Sequence, residues 1–357
     1  MPQLDLSASS VELTRTICDI PSVSGDETTL ADAIAAAIAP LDHLEVYRDG
    51  DTIVARTQLG RAQRVVIAGH IDTVPINRNL PTRETELDGE AVLWGRGTVD
   101  MKAGVAVQLK LAAELVSPRV DLTWMWYDHE EVAADLNGLT RLARTRPDLF
   151  AGDFAILGEP SNGQVEGGCN GNLRVIARTR GLRAHSARAW VGENAIHAAA
   201  PLMTRLAQYR PRTVSVEGLD YREGLNAVGV HGGVAGNVIP DLCEVEVNYR
   251  FAPNRTAAEA EAHVRDVLAG FEVEVVDRAE GARPGLDAPL AQEFVAAVGA
   301  EPRPKYGWTD VARFSAMGVP AVNYGPGNPS LAHHDEERVP LAQIDAVERG
   351  LRAWLKG

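Results

Sequence analysis

The sequence predicts an α/β protein, with a mostly parallel mixed sheet, flanking helices and a smaller β-α-β-β-α-β unit inserted in the chain. Three observations predict it. Up to Pro160, short apolar strand-like runs alternate with helical periods, the rhythm of a parallel sheet covered by helices. The middle of the chain switches to alternating strands. The residues able to do chemistry fall where the predicted strands end.

In order, Ala31, Ile34, Ile38 and Leu41 recur at helical spacing. Residues 64–68 form a β-rich run that ends in Gly69-His70-Ile71-Asp72. Residues 103–116, rich in Ala and Leu, predict a long helix. Residues 121–127 predict a buried strand ending in Asp128-His129-Glu130-Glu131, and 153–157 another ending in Gly158-Glu159-Pro160. Next come a strand over 173–180 and a helix over 194–209, striped by Ile196, Ala199, Met203 and Leu206. Strands over 227–234 and 243–251 follow. A helix over 256–270 is opened by a Thr256/Glu259 capping box, and a last strand covers 271–276. That order is the split βαβ, ferredoxin-like sandwich. It places one domain at 1–173 and 285–357 and the inserted domain at 174–284. In the returning part, 320–324 is a strand, and Ile344, Val347, Leu351 and Leu355 stripe a closing helix.

The formal net charge of -14 argues against a nucleic-acid partner, whose phosphates need a basic face. No stretch is long and apolar enough to span a bilayer, and residues 1–20 lack the cationic-then-apolar pattern of a secretory signal. Cys18, Cys169 and Cys243 lie far apart with no CxxC. They suggest neither a disulfide framework nor a thiolate metal site, and they suit a reducing compartment. The expected location is the cytoplasm.

His70 and Asp72 follow one predicted strand, Glu130 and Glu131 a second, and Glu159 a third. His333 comes soon after a fourth, and Asp100 sits in the turn before a helix. Each has an ordinary explanation alone: a turn, an acidic helix start, a loop closure, an exposed charge run, a helix cap. Open α/β sheets bind ligands beyond the carboxyl ends of their strands, where all of these residues fall. Imidazoles and carboxylates without thiolates suit zinc or a neighbouring divalent metal. A bridging carboxylate would let two ions sit ~3.5–4 Å apart.

These residues match a known pattern. Gly69-His70-Ile71-Asp72-Thr73-Val74-Pro75 resembles the first metal motif of the M20 metallopeptidase and deacylase family, and the run from Gly95 to Lys102 resembles the second. Glu130-Glu131, Gly158-Glu159-Pro160, and Ala332-His333 with Glu337 resemble the remaining three. Gly181 to Ser186, Asn194-Ala195, and Asn237-Val238-Ile239-Pro240 to Arg250 resemble motifs of the family's inserted lid and dimerisation domain. The resemblance implies a zinc-exopeptidase-like catalytic domain holding two divalent metal ions, zinc first, with cobalt or manganese accepted by the same ligands. His70 and Glu159 would bind one ion, Glu131 and His333 the other, and Asp100 would bridge. Asp72 would orient the His70 ring, and Glu130 would act as general base and then acid. His185 would stabilise the oxyanion from the partner subunit of a homodimer joined through the lid domain. The resemblance also implies a cis Asp100-Met101 peptide.

The implied substrate is a small N-acylated amino acid. Gly158 to Ser161 and Glu166 to Val175 resemble the actinobacterial form of the family's desuccinylases. The proteobacterial form carries an Arg pair where this chain has Cys169 and its glycines. Asn237 and Arg250 would help bind a substrate carboxylate. Thr309 and Arg313 lie in Trp308-Thr309-Asp310-Val311-Ala312-Arg313-Phe314, which resembles a further family loop. Arg313 either pairs with a substrate carboxylate or makes an internal ion pair. The rival activities are those of an acetylornithine deacetylase, a carboxypeptidase or a dipeptidase. A non-catalytic binding protein on the same scaffold would be expected to lack a ligand or the base.

Overall fold

The computed structural model describes residues 2–357. The chain opens with α1 (Ser10–Cys18), whose Ser9 cap accepts the Glu12 N–H, and α2 (Thr28–Ile38). A hairpin of β1 (Glu45–Asp49) and β2 (Thr52–Arg56) precedes β3 (Arg64–His70). A second hairpin, β4 (Arg83–Leu87) and β5 (Glu90–Trp94), leads to α3 (Lys102–Glu114). Then come β6 (Asp121–Tyr127), α4 (Gly138–Thr145), β7 (Phe154–Leu157) and the short β8 (Glu166–Gly167).

The chain continues through β9 (Gly171–Arg180), β10 (Ala184–His185), α5 (Ala195–Ala198) and α6 (Ala200–Gln208). A hairpin of β11 (Thr213–Val216) and β12 (Leu219–Arg222) leads to β13 (Gly224–Gly232) and β14 (Val238–Ile239). β15 (Leu242–Phe251), α7 (Ala257–Val267) and β16 (Glu272–Ala279) follow. Last are α8 (Pro289–Val298), β17 (Arg303–Pro304), α9 (Val311–Ala316), β18 (Ala321–Asn323), β19 (Arg338–Pro340) and α10 (Leu341–Lys356).

The chain divides into two compact units. The first comprises 1–167, 285–303 and 313–357, and its main sheet has the order β1-β2-β6-β3-β7-β18-β8-β17. The central four strands, β6, β3, β7 and β18, are mutually parallel, and antiparallel pairs flank them. β6, β7 and β18 are buried along their whole length, as sheets covered on both faces require. Trp124 and Trp126, two apart on β6, stack nearly parallel in this core. Each such side chain contributes about 1.5–3 kcal/mol or more on burial. The closing-helix stripe of Ile344, Val347, Leu351 and Leu355 is buried. α3 runs close to the sheet because Gly104 and Gly158 allow it: a Cβ on Gly104 would meet the Gly158 carbonyl oxygen at 2.2 Å.

The second unit is built on a four-stranded antiparallel sheet of order β13-β15-β9-β16. With its helices it follows the β-α-β-β-α-β pattern. Burial alternates along β9 and β15, and Leu173, Val175, Val245 and Val247 join Leu202 and Val264 in its core. Two sequence expectations need correction. The unit begins at Gly168 rather than at 174, because β9 starts at Gly171, and it also takes in 304–312. The single helix expected over 194–209 is two helices meeting at Ala199. Pro201, in the first turn of α6, supplies no N–H to continue the ladder. The break rotates the apolar face. Leu202 and Leu206 are buried beside Ala195 and Ala199, whereas Ile196 and Met203 are exposed.

Candidate metal centre

The parallel strands deliver the site. β3 ends in His70, and its pairing with β6 places His70 opposite Tyr127, so the Asp128–Glu131 turn leaves the sheet beside it. The Gly158 N–H donates to the Ala68 carbonyl at 3.0 Å, which brings the buried Glu159 to the next strand end. Asp100 arrives from the turn before α3, through a cis Asp100–Met101 peptide. His333 comes from the segment between β18 and β19 and adopts a left-handed φ of +64°.

Asp100 stands between the two imidazoles. Its Oδ1 lies 3.1 Å from His70 Nε2 and its Oδ2 3.3 Å from His333 Nε2. Both carboxylate oxygens of Glu131 lie 3.0 Å from the same His333 nitrogen. His70, Asp100 and Glu131 offer donor atoms that all fall within 4.8 Å of one another. This carboxylate field is strong. Burial would lower the His70 imidazole, yet hydrogen bonds with Asp100 and Asp72 hold it well above its usual value. Hydrogen bonds with Asp100 and Glu131 push His333 up to about 10. Burial would raise the Asp100 carboxyl, but the two rings keep it far down. Imidazole nitrogens and carboxylate oxygens, with the same negative field, are the donors that divalent cations select, and all three cysteines are buried and unpaired. The residues therefore fit divalent metal binding.

The residues around these candidate donors are themselves held. His70 Nδ1 lies 3.0 Å from the Asp72 main-chain carbonyl and 3.5 Å from its Oδ1. The Asp72 carboxylate also accepts the Ser24 hydroxyl at 2.6 Å. Its two oxygens accept the backbone N–H groups of Glu130 and Glu131, each at 3.0 Å. Burial opposes ionisation of Asp72, but His70, Ser24 and the Glu130 N–H hold its carboxyl at about 2. On the other side, Glu337 is buried. Its Oε1 accepts the Val99 and Asp100 N–H groups at 2.9 and 3.1 Å, and its Oε2 pairs with Arg96 at 2.8 Å. Glu27, to which the sequence reading assigned nothing, accepts the His129 N–H at 3.1 Å.

The other predicted residues are placed as follows. In the second unit, His185 pairs with Val238 across the β10–β14 bridge, next to Asn237, whose carbonyl accepts the Ser186 N–H. His185 Nδ1 accepts the Ala187 N–H at 3.0 Å, so in the neutral ring the proton sits on the exposed Nε2. Arg250 lies on β15 opposite Asn172. Burial lowers its guanidinium, opposed by the nearby Asp277 carboxylate, with which it forms no ion pair. The Thr309 carbonyl accepts the Ala312 N–H and the buried Cys169 thiol. Arg313, in the first unit, already has a partner within the folded chain.

A parallel sheet that gathers imidazoles and carboxylates beyond its strand ends defines a metal-dependent hydrolase of the α/β class. The chain belongs to peptidase family M20/M25/M40, whose sequence profile matches residues 66–356. A Mycobacterium tuberculosis protein is 52% identical over 357 residues, covering 99% of this chain and 100% of that protein; it carries the provisional name succinyl-diaminopimelate desuccinylase. A Corynebacterium glutamicum protein named succinyl-diaminopimelate desuccinylase is 47% identical over 365 residues, with 99% of this chain and 98% of that one covered. Among solved structures, a Bacillus subtilis dinuclear metal-binding peptidase of the M20 family superposes with a TM-score of 0.70 at 16% identity, covering 97% of this chain and 96% of that one. Among the described residues, no helix is long and apolar enough to cross a membrane.

Proposed function

We propose that the protein hydrolyses the amide bond of N-succinyl-LL-2,6-diaminopimelate to succinate and LL-2,6-diaminopimelate. What carries the reading is the 47% identity, over nearly the whole of both chains, to a relative of that name. The Asp100 carboxylate set between His70 and His333 supports it. In this reading His70 and Glu159 would hold one divalent ion and Glu131 and His333 a second, with Asp100 shared between them; zinc would suit these donors. Such ions, when bound, acidify a water and polarise the amide carbonyl.

Glu130 takes the proton of the attacking water and returns it to the amine nitrogen as the C–N bond breaks. Succinate leaves as the carboxylate and diaminopimelate as the amine. His185 of a second copy donates its Nε2–H to the tetrahedral oxyanion. Arg250, with Asn237 and Thr309, binds a substrate carboxylate, a role suited to a half-buried guanidinium that forms no ion pair with the nearby Asp277. The dimer forms along β13, the edge of its sheet, where Val228 and Val230 are exposed. Three buried, unpaired cysteines suit a cytoplasmic location.

The test is succinate release from N-succinyl-LL-diaminopimelate by the purified, zinc-loaded protein, beside N-acetylornithine and a dipeptide. Turnover of the succinyl compound alone is expected. Cleavage of only another amide would overturn the substrate and leave the metal chemistry standing.

A further inference from the structure

Three consecutive backbone N–H groups, those of His129, Glu130 and Glu131, each donate to a buried carboxylate. Asp72 takes the second and third, and Glu27 takes the first at 3.1 Å. Glu27 is fully buried and is the N-cap residue of α2, but its side chain makes no capping bond to that helix. Instead Oε2 accepts the Gly25 N–H at 2.8 Å, and Oε1 faces both the His129 N–H and His129 Nδ1, the latter at 3.4 Å. The His129 ring also meets Asp128 at 2.7 Å, and Asp128 is held in turn by the Thr52 hydroxyl and by Arg141 at 2.8 Å. A chain of side-chain contacts thus runs from Arg141 through Asp128 and His129 to Glu27.

The reason for a second carboxylate lies in the backbone. His129 has a φ of +59°, a left-handed conformation that a non-glycine residue holds only when its surroundings impose it. The two torsions of residue 129 relate the peptide plane carrying its own N–H to the plane carrying the Glu130 N–H. Asp72 fixes the second plane but not the first, which the Gly138 N–H holds only from its other side, through the Asp128 carbonyl at 2.9 Å. With Glu27 on the first, both torsions are set, and so is the point from which the Glu130 side chain departs.

We infer that Glu27 is a positioning residue for catalysis, which acts through His129 to fix the Glu130 carboxylate relative to the metal ligand Glu131. The inference rests on Glu130 being the base. A displacement of about 1 Å at a reacting group costs on the order of 10²-fold in rate, so removing Glu27 reads out mainly in turnover.

The experiment compares wild type, Glu27→Ala and Glu27→Gln for succinate release, zinc content and thermal unfolding. Expected for Glu27→Ala is a kcat lowered about 10–100-fold, with KM within about threefold and zinc content unchanged. Glu27→Gln, whose amide oxygen still accepts the His129 N–H, recovers much of the loss. A Glu27→Ala protein with kcat within about twofold of wild type overturns the inference. So does a loss matched by loss of zinc, or a Glu27→Gln variant no better than Glu27→Ala, even if both unfold early. If wild type itself releases no succinate, the proposed substrate is what fails. The same comparison, run on whichever amide the wild type does cleave, then decides the role of Glu27.

Discussion

The Glu337 carboxylate accepts the backbone N–H of Asp100 at 3.1 Å. It also accepts the Val99 N–H and pairs with the buried Arg96, so one acid, four residues after His333, shapes the turn that carries Asp100, the proposed bridging carboxylate. Outer partners of metal ligands typically matter 10–100-fold in affinity. Glu337→Gln is therefore expected to weaken metal binding by about that factor, measured by competition with a chromophoric chelator. Glu337→Ala leaves Arg96 buried without its acid and should also destabilise the fold by about 3–5 kcal/mol in denaturant unfolding.

Glu130→Gln removes the proposed base while keeping its size, and the Asp72 bond to its backbone N–H remains. Turnover should fall by about 10²–10⁴-fold or more with metal content unchanged, checked by steady-state kinetics beside elemental analysis. Near-normal turnover in the fully loaded variant would remove Glu130 from the mechanism.

Arg250 on β15 is lowered by burial against the opposing charge of Asp277, with which it forms no ion pair. A cation left so is expected to meet an anion from the substrate. Arg250→Ala should raise KM by about 10–100-fold, with a smaller change in kcat. Arg250→Lys should recover little, because an ammonium does not reproduce the planar fork of a guanidinium. Equal KM values for all three proteins would make Arg250 structural.

Glu223 gives the second unit a pH dependence of definite sign. Its buried carboxylate pairs with Arg212 at 3.0 Å and accepts the Tyr249 hydroxyl and the Ala252 N–H. Burial would raise its carboxyl, yet these partners hold it below the ordinary 4.5. A depressed carboxylate stabilises the fold fully above its unfolded pKa, and that stability is lost as pH falls through the folded value. Glu223→Gln should cost about 1–3 kcal/mol at pH 7, limited because the Arg212 side chain is half exposed. The gap to wild type should close below pH 4.5, followed by thermal unfolding across that range.

The parallel core was legible in the sequence because its strands are continuous apolar runs and its polar residues stop them: His70, Glu131 and Glu159 each follow such a run. The capping box of Thr256 and Glu259 was legible for a similar reason, since both halves lie within one turn. What the sequence hides is long range or lacks a period. β4 is exposed along its whole length, so Arg83-Glu84-Thr85-Glu86-Leu87 carries no apolar alternation to mark it as a strand. Glu27 stands before a helix like any N-cap acid, and only folding shows it bonded to a residue 102 positions away. Asp72 was expected to serve the His70 ring. Its bonds to the Glu130 and Glu131 N–H groups leave no trace in spacing, because they end on backbone, which every residue has.

His185 allows the proposed dimer and its catalytic contribution to be tested together. His185 is exposed and its Nδ1 accepts the Ala187 N–H, which leaves Nε2–H as the donor of the neutral ring. If it donates into the partner's site, a dimer with one Glu130→Gln chain and one His185→Ala chain has one site with both defects and one with neither. Each pure variant should be nearly inactive. In a C2 dimer, unfolding and refolding equal amounts together should restore about a quarter of wild-type activity, since half of the dimers are hybrids with one intact site each. If His185 acts within its own chain, every hybrid site carries one defect and the mixture stays as inactive as its parts. A charged residue on the exposed edge strand separates the two cases further: Val230→Lys should dissociate the dimer in analytical ultracentrifugation and, in the first case alone, remove the activity of an otherwise intact chain.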